Sequence, residues 1–245
     1  MIQKVIDMAG LKNMKIKLFA DGADIKEMQA AHNEGIVSGF TTNPSLMKKA
    51  GVTDYEAFAK SVLQAIPDMP ISFEVFSDDM NEMEREARKI MTCGSNVYIK
   101  IPVTNTKGES TAPLIRKLSQ EGLKLNVTAI LTAKQVKTVV DALSSNTPSI
   151  VSVFAGRIAD TGRDPLPIMK ECMEIVRSNP SAELLWASSR ELLNIFQAES
   201  IGCHIITVTN EILKKTKMID KDLSELSLDT VKTFYGDAQS AGFKL

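Results

Sequence analysis

The chain has 245 residues, 29 Lys+Arg against 30 Asp+Glu, a formal net charge of −1, 44% hydrophobic and 24% charged residues. This balance exerts no general pull on nucleic acid or on an anionic membrane, and no apolar run reaches the roughly 18 residues a membrane-spanning helix needs. Three cysteines without a CxxC pair and only two histidines exclude a disulfide framework and a His-rich metal centre, and they fit a reducing compartment. Residues 1–17 lack the long apolar stretch of a secretory signal, so a cytoplasmic location is the expectation.

Eight short apolar runs bounded by turn residues predict strands at Ile16–Ala20, Val37–Thr41, Ile71–Val75, Val97–Ile101, Leu125–Ala129, Ile150–Phe154, Leu184–Ala187 and His204–Val208. Their centres lie roughly 20 to 35 residues apart, and each gap holds a helix-like stretch. These stretches are Asp24–Asn33, Asp54–Ile66, Asp79–Thr92, Ala112–Gln120, Ala133–Leu143, Leu166–Ser178, Ser189–Ala198 and Thr209–Lys217. Strands alternating with helices imply βαβ units and a parallel sheet. Eight such units with no break in composition predict one α/β domain over residues 1–245, a single (β/α)8 TIM barrel. An open doubly wound sheet is the alternative, but Ala20-Asp21-Gly22-Ala23 is not the GxGxxG turn that such a sheet normally carries. Residues 1–13 read as an N-terminal extension, and residues 218–245 as a C-terminal segment with an extra helix over Leu228–Ser240.

In such a barrel the chemistry sits at the C-terminal ends of the strands, so the polar residues there are the candidates. Lys100 interrupts the apolar run Val97-Tyr98-Ile99-Lys100-Ile101-Pro102-Val103. It either faces a wet cavity, where a deprotonated amine can attack a ketone, or snorkels to solvent from the strand end. Asp21 ends the first strand and serves either chemistry or as the N-cap of the following helix. Glu74, between Phe73 and Val75, suggests acid–base or proton-relay work, or an ion pair with Lys100 or with an arginine. Asn126 and Thr128, two apart on one strand, share a face and can line the same pocket, or face a helix instead. Thr41-Thr42-Asn43 follow the second strand, and Thr207 and Thr209 lie in or just after the eighth. Arg157, Ser188 and Arg190 suggest an anion site, helped by free N–H groups of a helix beginning near Ser189, or else ordinary surface charge. His32, His204, Cys93, Cys172, Cys203 and the methionines read as structural.

Six segments in order resemble the transaldolase family in its small single-barrel branch: Phe19-Ala20-Asp21, Gly39-Phe40-Thr41-Thr42-Asn43-Pro44-Ser45, Ile99-Lys100-Ile101-Pro102, Leu125-Asn126-Val127-Thr128, Val153-Phe154-Ala155-Gly156-Arg157-Ile158 and Ala187-Ser188-Ser189-Arg190. The resemblance implies a class I aldol mechanism with no metal or organic cofactor. It implies Lys100 as the Schiff-base lysine, Asp21 as the base at the C4 hydroxyl, and Glu74 with Thr128 as the pair that places a catalytic water. Thr42, Asn43 and Asn126 would line the site of the three-carbon unit, with the two asparagines holding its hydroxyls. Arg157, Ser188 and Arg190 would bind phosphate. The implied reaction moves a dihydroxyacetone unit from fructose 6-phosphate or sedoheptulose 7-phosphate to an aldose phosphate, as in the pentose phosphate pathway. Glu74 and Phe154 match the transferases. The related fructose-6-phosphate aldolases, which release free dihydroxyacetone, typically carry Gln and Tyr there. Aldol cleavage without transfer, and a sugar-phosphate-binding barrel without turnover, remain the alternatives. Ser189, where relatives often have an aromatic residue, and Trp186 depart from the pattern and leave phosphate or another anion, such as a sulfonate, open as the terminal group. The expected partners are sugar phosphates and copies of the same chain, as a pentamer or decamer, with neither nucleic acid nor membrane.

Overall fold

The computed structural model describes Leu11 and residues 14–244. Two compact units are present, one over Met14–Lys214 and a second that includes residues 215–244. Apart from Leu11, the extension expected over residues 1–13 lies outside the described residues.

The first unit is a closed barrel of eight parallel strands, each paired with its sequence neighbours, and β1 with β8. The strands are β1 (Lys17–Asp21), β2 (Gly39–Thr41), β3 (Ile71–Glu74), β4 (Val97–Pro102), β5 (Leu125–Ile130), β6 (Ser149–Val153), β7 (Ala182–Trp186) and β8 (Ile205–Thr209). The helices between them are α1 (Ile25–Glu34), α2 (Pro44–Lys49), α3 (Tyr55–Ala65), α4 (Met80–Met91), α5 (Ala112–Gln120), α6 (Ala133–Ala142), α7 (Ala155–Ala159), α8 (Leu166–Val176) and α9 (Leu193–Ser200), with α10 (Asn210–Lys215) after β8. The barrel expectation holds, and the open sheet falls because β1 and β8 pair along all of β1.

Acidic and hydroxyl caps set the helix starts. Asp24 accepts from the N–H groups of Lys26 and Glu27, Asp54 from Ala57, and Asp79 from Asn81 and Glu82. Each cap satisfies donors that have no partner inside the helix. Asp24 therefore fills the N-cap role, which leaves Asp21 available for other work. Thr132 and Gln135 form a reciprocal capping box at α6. On α4 the buried residues Met83, Ala87 and Ile90 face the barrel, while Arg88 bridges Glu84 and Glu121 on the outer face.

Alternate strand residues fill the barrel. Phe19, Ile150, Leu185, Ala187 and Ile205 form the inner cluster, with Tyr98 and Phe154 packed on it. Gly39 is required by this packing. A Cβ there would lie 2.5 Å from the Phe19 ring, closer than any real contact. With this apolar plug below, the upper level is left to polar side chains.

In the second unit, a 3-10 turn (Thr216–Met218) precedes α11 (Leu223–Ala241), capped by Asp222 through the N–H groups of Ser224 and Glu225. This helix starts five residues before the expected Leu228. Its residues Leu228, Val231, Phe234 and Tyr235 are exposed.

Candidate active site

Strand register places the candidates on common levels. Glu74 pairs with Lys100, and Lys100 with Asn126, so the three side chains stand on one face at one height. Asp21 pairs with Thr41, and Thr41 with Ser72, forming an adjoining row. Residues partnered across parallel strands point to the same side, and here that side is the barrel interior.

Lys100 is buried, and its amine donates to the Thr42 carbonyl at 3.0 Å and pairs with Glu74 Oε2 at 3.1 Å. A cation taken from water at this depth requires such partners. Thr42 contributes through its backbone, because its hydroxyl donates to the Ser72 carbonyl at 2.8 Å. Glu74 is steadied from behind: Tyr55 Oη donates to its backbone carbonyl at 2.9 Å, and the Tyr55 ring stands edge-on to Phe73. Burial, with Glu74 adding to it, pushes the Tyr55 phenol up out of the range in which it ionises.

Asp21 accepts a 2.7 Å hydrogen bond from Thr41 Oγ1. Thr41 Oγ1 also lies 2.7 Å from Thr207 Oγ1, and since its single hydrogen goes to Asp21, Thr207 is the donor of that pair. Burial is the largest influence on Asp21 and holds its carboxyl above the ordinary range. The Lys100 charge and the Thr41 hydrogen bond oppose this, and Glu74 adds to it. A carboxylate of raised basicity near an amine is suited to taking a proton from a substrate hydroxyl.

Asn126 is fully buried and held on both sides of its amide. Its Nδ2 donates to Ser72 Oγ at 2.9 Å, and Ser152 Oγ donates to its Oδ1 at 2.6 Å. Thr128, on the same face two residues on, has a buried hydroxyl with no partner among the described residues. An unpaired buried hydroxyl is costly and marks a place for a bound polar group or water. The strand then breaks register between Val127 and Ile130, with Ala129 at φ 61°, a bulge of the kind found beside active sites. Asn43 begins α2, and its Oδ1 accepts the Leu46 N–H at 2.9 Å.

The candidate anion site lies on two other strand ends. Arg157 sits on α7, a five-residue helix directly after β6, with its guanidinium 5.3 Å from the centre of the Phe154 ring. Ser188 follows β7 in the left-handed region at φ 61°. Its backbone presses on Gly156, where a Cβ would meet the Ser188 carbonyl oxygen at 1.6 Å. That contact brings the two loops together. Arg190 is engaged by Asp160, Nε to Oδ1 at 3.0 Å and Nη2 to Oδ2 at 2.5 Å.

One expectation fails here. The helix after β7 begins at Leu193, not near Ser189, so its N-terminus offers no donors beside Ser188. The Arg190 and Glu191 N–H groups both go to Asn194 Oδ1, at 2.8 and 3.2 Å. Ser189 is buried and donates to the Thr207 carbonyl at 2.9 Å. Trp186 alternates with the inner residues Leu185 and Ala187, so it lies on the outer face of β7, buried and with no partner for Nε1 among the described residues.

Outside this region, Cys172 and Cys203 are buried and their thiols are pushed up to about 12, so neither provides a thiolate. His32 pairs with Asp68 at 2.8 Å, and His204 Nδ1 accepts the Leu184 N–H at 2.9 Å, both structural contacts. Among the described residues no cluster of three His, Cys, Asp or Glu side chains could hold a metal ion, and no helix is long and apolar enough to cross a membrane. Reading the sequence missed Ser72, Ser152, Tyr55 and Asp160. Ser72 was accessible by parity, standing two residues before Glu74 on β3, and Ser152 stands two residues before Phe154, just past the end of β6.

A (β/α)8 barrel with a buried lysine and two carboxylates at the C-terminal ends of its strands defines a class of protein, the lysine-centred barrels. Comparison with known proteins narrows it. The family described as Transaldolase/Fructose-6-phosphate aldolase matches residues 18–245, and the chain belongs to that family. It is 36% identical over 231 residues to a probable transaldolase of Thermoanaerobacter sp. (strain X514), covering 94% of this chain and all of that one. A probable transaldolase of Caldicellulosiruptor saccharolyticus is 37% identical over 202 residues, covering 82% of this chain and 88% of the relative. Among solved structures, 3-hexulose-6-phosphate synthase from Salmonella typhimurium superposes with a TM-score of 0.57 at 15% identity, covering 88% of this chain and 99% of that chain. The KGPDC from Streptococcus mutans gives 0.56 at 12%, covering 82% and 92%. At these identities the two structures share the fold alone.

Proposed function

We propose that the protein is a class I transaldolase that moves a dihydroxyacetone unit between sugar phosphates on Lys100, with no metal or organic cofactor. The observation that carries this reading is the buried Lys100 amine, held by Glu74 and the Thr42 carbonyl on the level of Asn126. A lysine that served only the fold would need no second carboxylate and no amide network around it.

The sequence of steps follows from the positions. Glu74, at 3.1 Å, takes the proton that Lys100 must lose before attacking the C2 ketone of the donor. Attack gives a carbinolamine, and loss of water gives the protonated imine. A water between Glu74 and the unpartnered Thr128 hydroxyl carries the protons of both changes. Asp21 then takes the C4 hydroxyl proton. The C4–O electrons form the carbonyl of the departing aldehyde phosphate, the C3–C4 bond breaks, and its electron pair passes into the imine to give the enamine. Asn126 and Asn43 hold the hydroxyls of the remaining three carbons. Phe154 offers no hydroxyl to protonate that enamine, which favours waiting for an acceptor over release. The acceptor aldehyde enters, C–C bond formation reverses the electron flow, and hydrolysis of the imine frees the new ketose. Arg157, Ser188 and Arg190 take the terminal phosphate of donor and acceptor. Fructose 6-phosphate or sedoheptulose 7-phosphate is the proposed donor, with a cytoplasmic place in pentose phosphate metabolism. The protein acts as a homo-oligomer, a pentamer or decamer, whose neighbouring copies cover the apolar face of α11.

A coupled assay with fructose 6-phosphate and erythrose 4-phosphate tests the proposal. Saturable transfer that is lost in Lys100→Met is expected, and full transfer in that variant would remove Lys100 from the mechanism. Free dihydroxyacetone formed as fast without an acceptor as with one would favour simple aldol cleavage.

A further inference from the structure

The unusual partner at the anion site is Asp160. A carboxylate next to two arginines opposes an incoming anion, yet here it takes two of the five N–H donors of Arg190 in a forked pair. Asp160 stands three residues after Arg157 at the end of α7, so both belong to the same short element. The Arg190 stem crosses Gly156, whose Cβ position would lie 3.3 Å from Arg190 Cγ, so its guanidinium is drawn onto α7. Arg157 rests on the Phe154 ring and has no hydrogen-bond partner among the described residues. The two cations are thus prepared differently, one by an aromatic face and one by a carboxylate.

We propose that Asp160 is the positioning residue of the anion site: it fixes the Nε/Nη2 edge of Arg190 so that the Nη1 edge stands beside Arg157 to receive the terminal phosphate. The proposal rests on the assignment of Arg157, Ser188 and Arg190 to that phosphate, and it deepens that assignment. The Arg190 backbone is already locked by Asn194, and its neighbours by Gly156 and the Thr207 carbonyl, so the side-chain torsions are the freedom left to settle. An ion pair about half exposed on both sides contributes little to stability, and its value here is orientation. An arginine fork held in advance spares the ordering of a long side chain when substrate binds.

The test compares Asp160→Ala, Asp160→Glu and Arg190→Ala, singly and as the Asp160→Ala/Arg190→Ala double variant, using steady-state transfer from fructose 6-phosphate. Asp160→Ala is expected to raise KM by about three- to tenfold, the equivalent of ordering one long side chain, with kcat within about twofold. Asp160→Glu is expected to recover part of the loss, and Asp160→Ala to add nothing in the Arg190→Ala background. Protection of each variant by inorganic phosphate in thermal melts gives a reading independent of turnover and is expected to weaken in the same order. An unchanged KM in Asp160→Ala overturns the proposal. A lowered KM also overturns it, because Asp160 would then be a competitor for Arg190. An equal further loss in the Arg190→Ala background overturns it as well. If the wild-type protein neither turns over fructose 6-phosphate nor is protected by phosphate, the phosphate assignment itself falls, and the role of Asp160 falls with it. If the wild type does both and Asp160→Ala matches it, the role of Asp160 alone falls.

Discussion

Replacing Gly156 with alanine tests how the barrel joins its two arginine loops. A Cβ at 156 would sit 1.6 Å from the Ser188 carbonyl oxygen and 2.7 Å from its carbon, both backbone atoms that no side-chain rotation can move aside. To reach an ordinary contact the loop after β7 must retreat by well over 1 Å. It would then strain the hydrogen bond from Gly156 N to the Ala187 carbonyl, now 3.3 Å, and carry Ser188 and Arg190 away from Arg157. Overpacking of this kind costs about 1–3 kcal/mol, and each kcal/mol lowers the Tm of a chain this size by about 2–4 °C. A displacement near 1 Å at a binding group costs up to about a hundredfold in catalytic efficiency. The expectation is a melting point several degrees lower and a KM for fructose 6-phosphate raised at least tenfold. Lys100, Glu74 and Asp21 lie on other strands, so borohydride trapping of unphosphorylated dihydroxyacetone on Lys100 should persist. Thermal melts, steady-state kinetics and adduct mass together decide the matter. Unchanged melting and KM would refute the steric reasoning, and loss of dihydroxyacetone trapping would show that the loops and the lysine are not separable.

Three further substitutions probe the centre. Asp21→Asn keeps the Thr41 hydrogen bond but removes the proposed base, so cleavage of fructose 6-phosphate should slow by about 10²- to 10⁴-fold, while borohydride still traps added free dihydroxyacetone on Lys100. The same variant should be more stable than wild type near neutral pH. The Asp21 carboxyl is raised above its ordinary value of 3.8, so its contribution to stability is full below that value and is lost as pH rises through the folded-state value. The stability difference measured by denaturant titration should therefore shrink as pH falls toward about 4, and a difference independent of pH would contradict the burial argument. On the proposed mechanism Phe154→Tyr adds a hydroxyl beside the enamine and should increase free dihydroxyacetone formed without acceptor, measured by an enzymatic end-point assay. No increase would remove Phe154 from the choice between transfer and release. Tyr55→Phe deletes the bond to the Glu74 carbonyl and should lower kcat modestly, by about two- to tenfold, with the fold intact by circular dichroism.

The barrel was legible because a parallel strand buried on both faces leaves a compact apolar run, and because caps such as Asp24, Asp54 and Asp79 mark the helix starts. Strand positions were readable to within a few residues, and the period of two already grouped Asn126 with Thr128. The short helices α2 and α7, six and five residues long, are too brief to show a helical period and were absorbed into gaps and strand ends. The early start of α11 was legible in Asp222, a capping residue with Glu225 three positions on, and in Leu223 and Leu226 three apart; a stripe read from Leu228 passes over them. The misplaced start of α9 has a local cause. Ser188 turns left-handed, and Asn194 caps the backbone of Arg190 and Glu191, which keeps the chain out of a helix until Leu193. At the site, Lys100, Glu74 and Asp21 stood out as charges in apolar strands. Their pairings did not: the Thr207–Thr41–Asp21 chain and the Ser152–Asn126–Ser72 chain join different strands, and only barrel closure brings them together. The Asp160–Arg190 pair, 30 residues apart, was invisible for the same reason.

The central claim, a carbon–carbon bond cleaved on Lys100, has a direct measurement. The protein is incubated with fructose 6-phosphate, reduced with borohydride, digested and mapped by peptide mass spectrometry. The account predicts a three-carbon adduct on Lys100, which reports imine formation and C3–C4 cleavage in one observation. A six-carbon adduct alone would place the lysine correctly but deny the cleavage assigned to Asp21. An unmodified Lys100 in protein that binds the sugar phosphate would contradict the account.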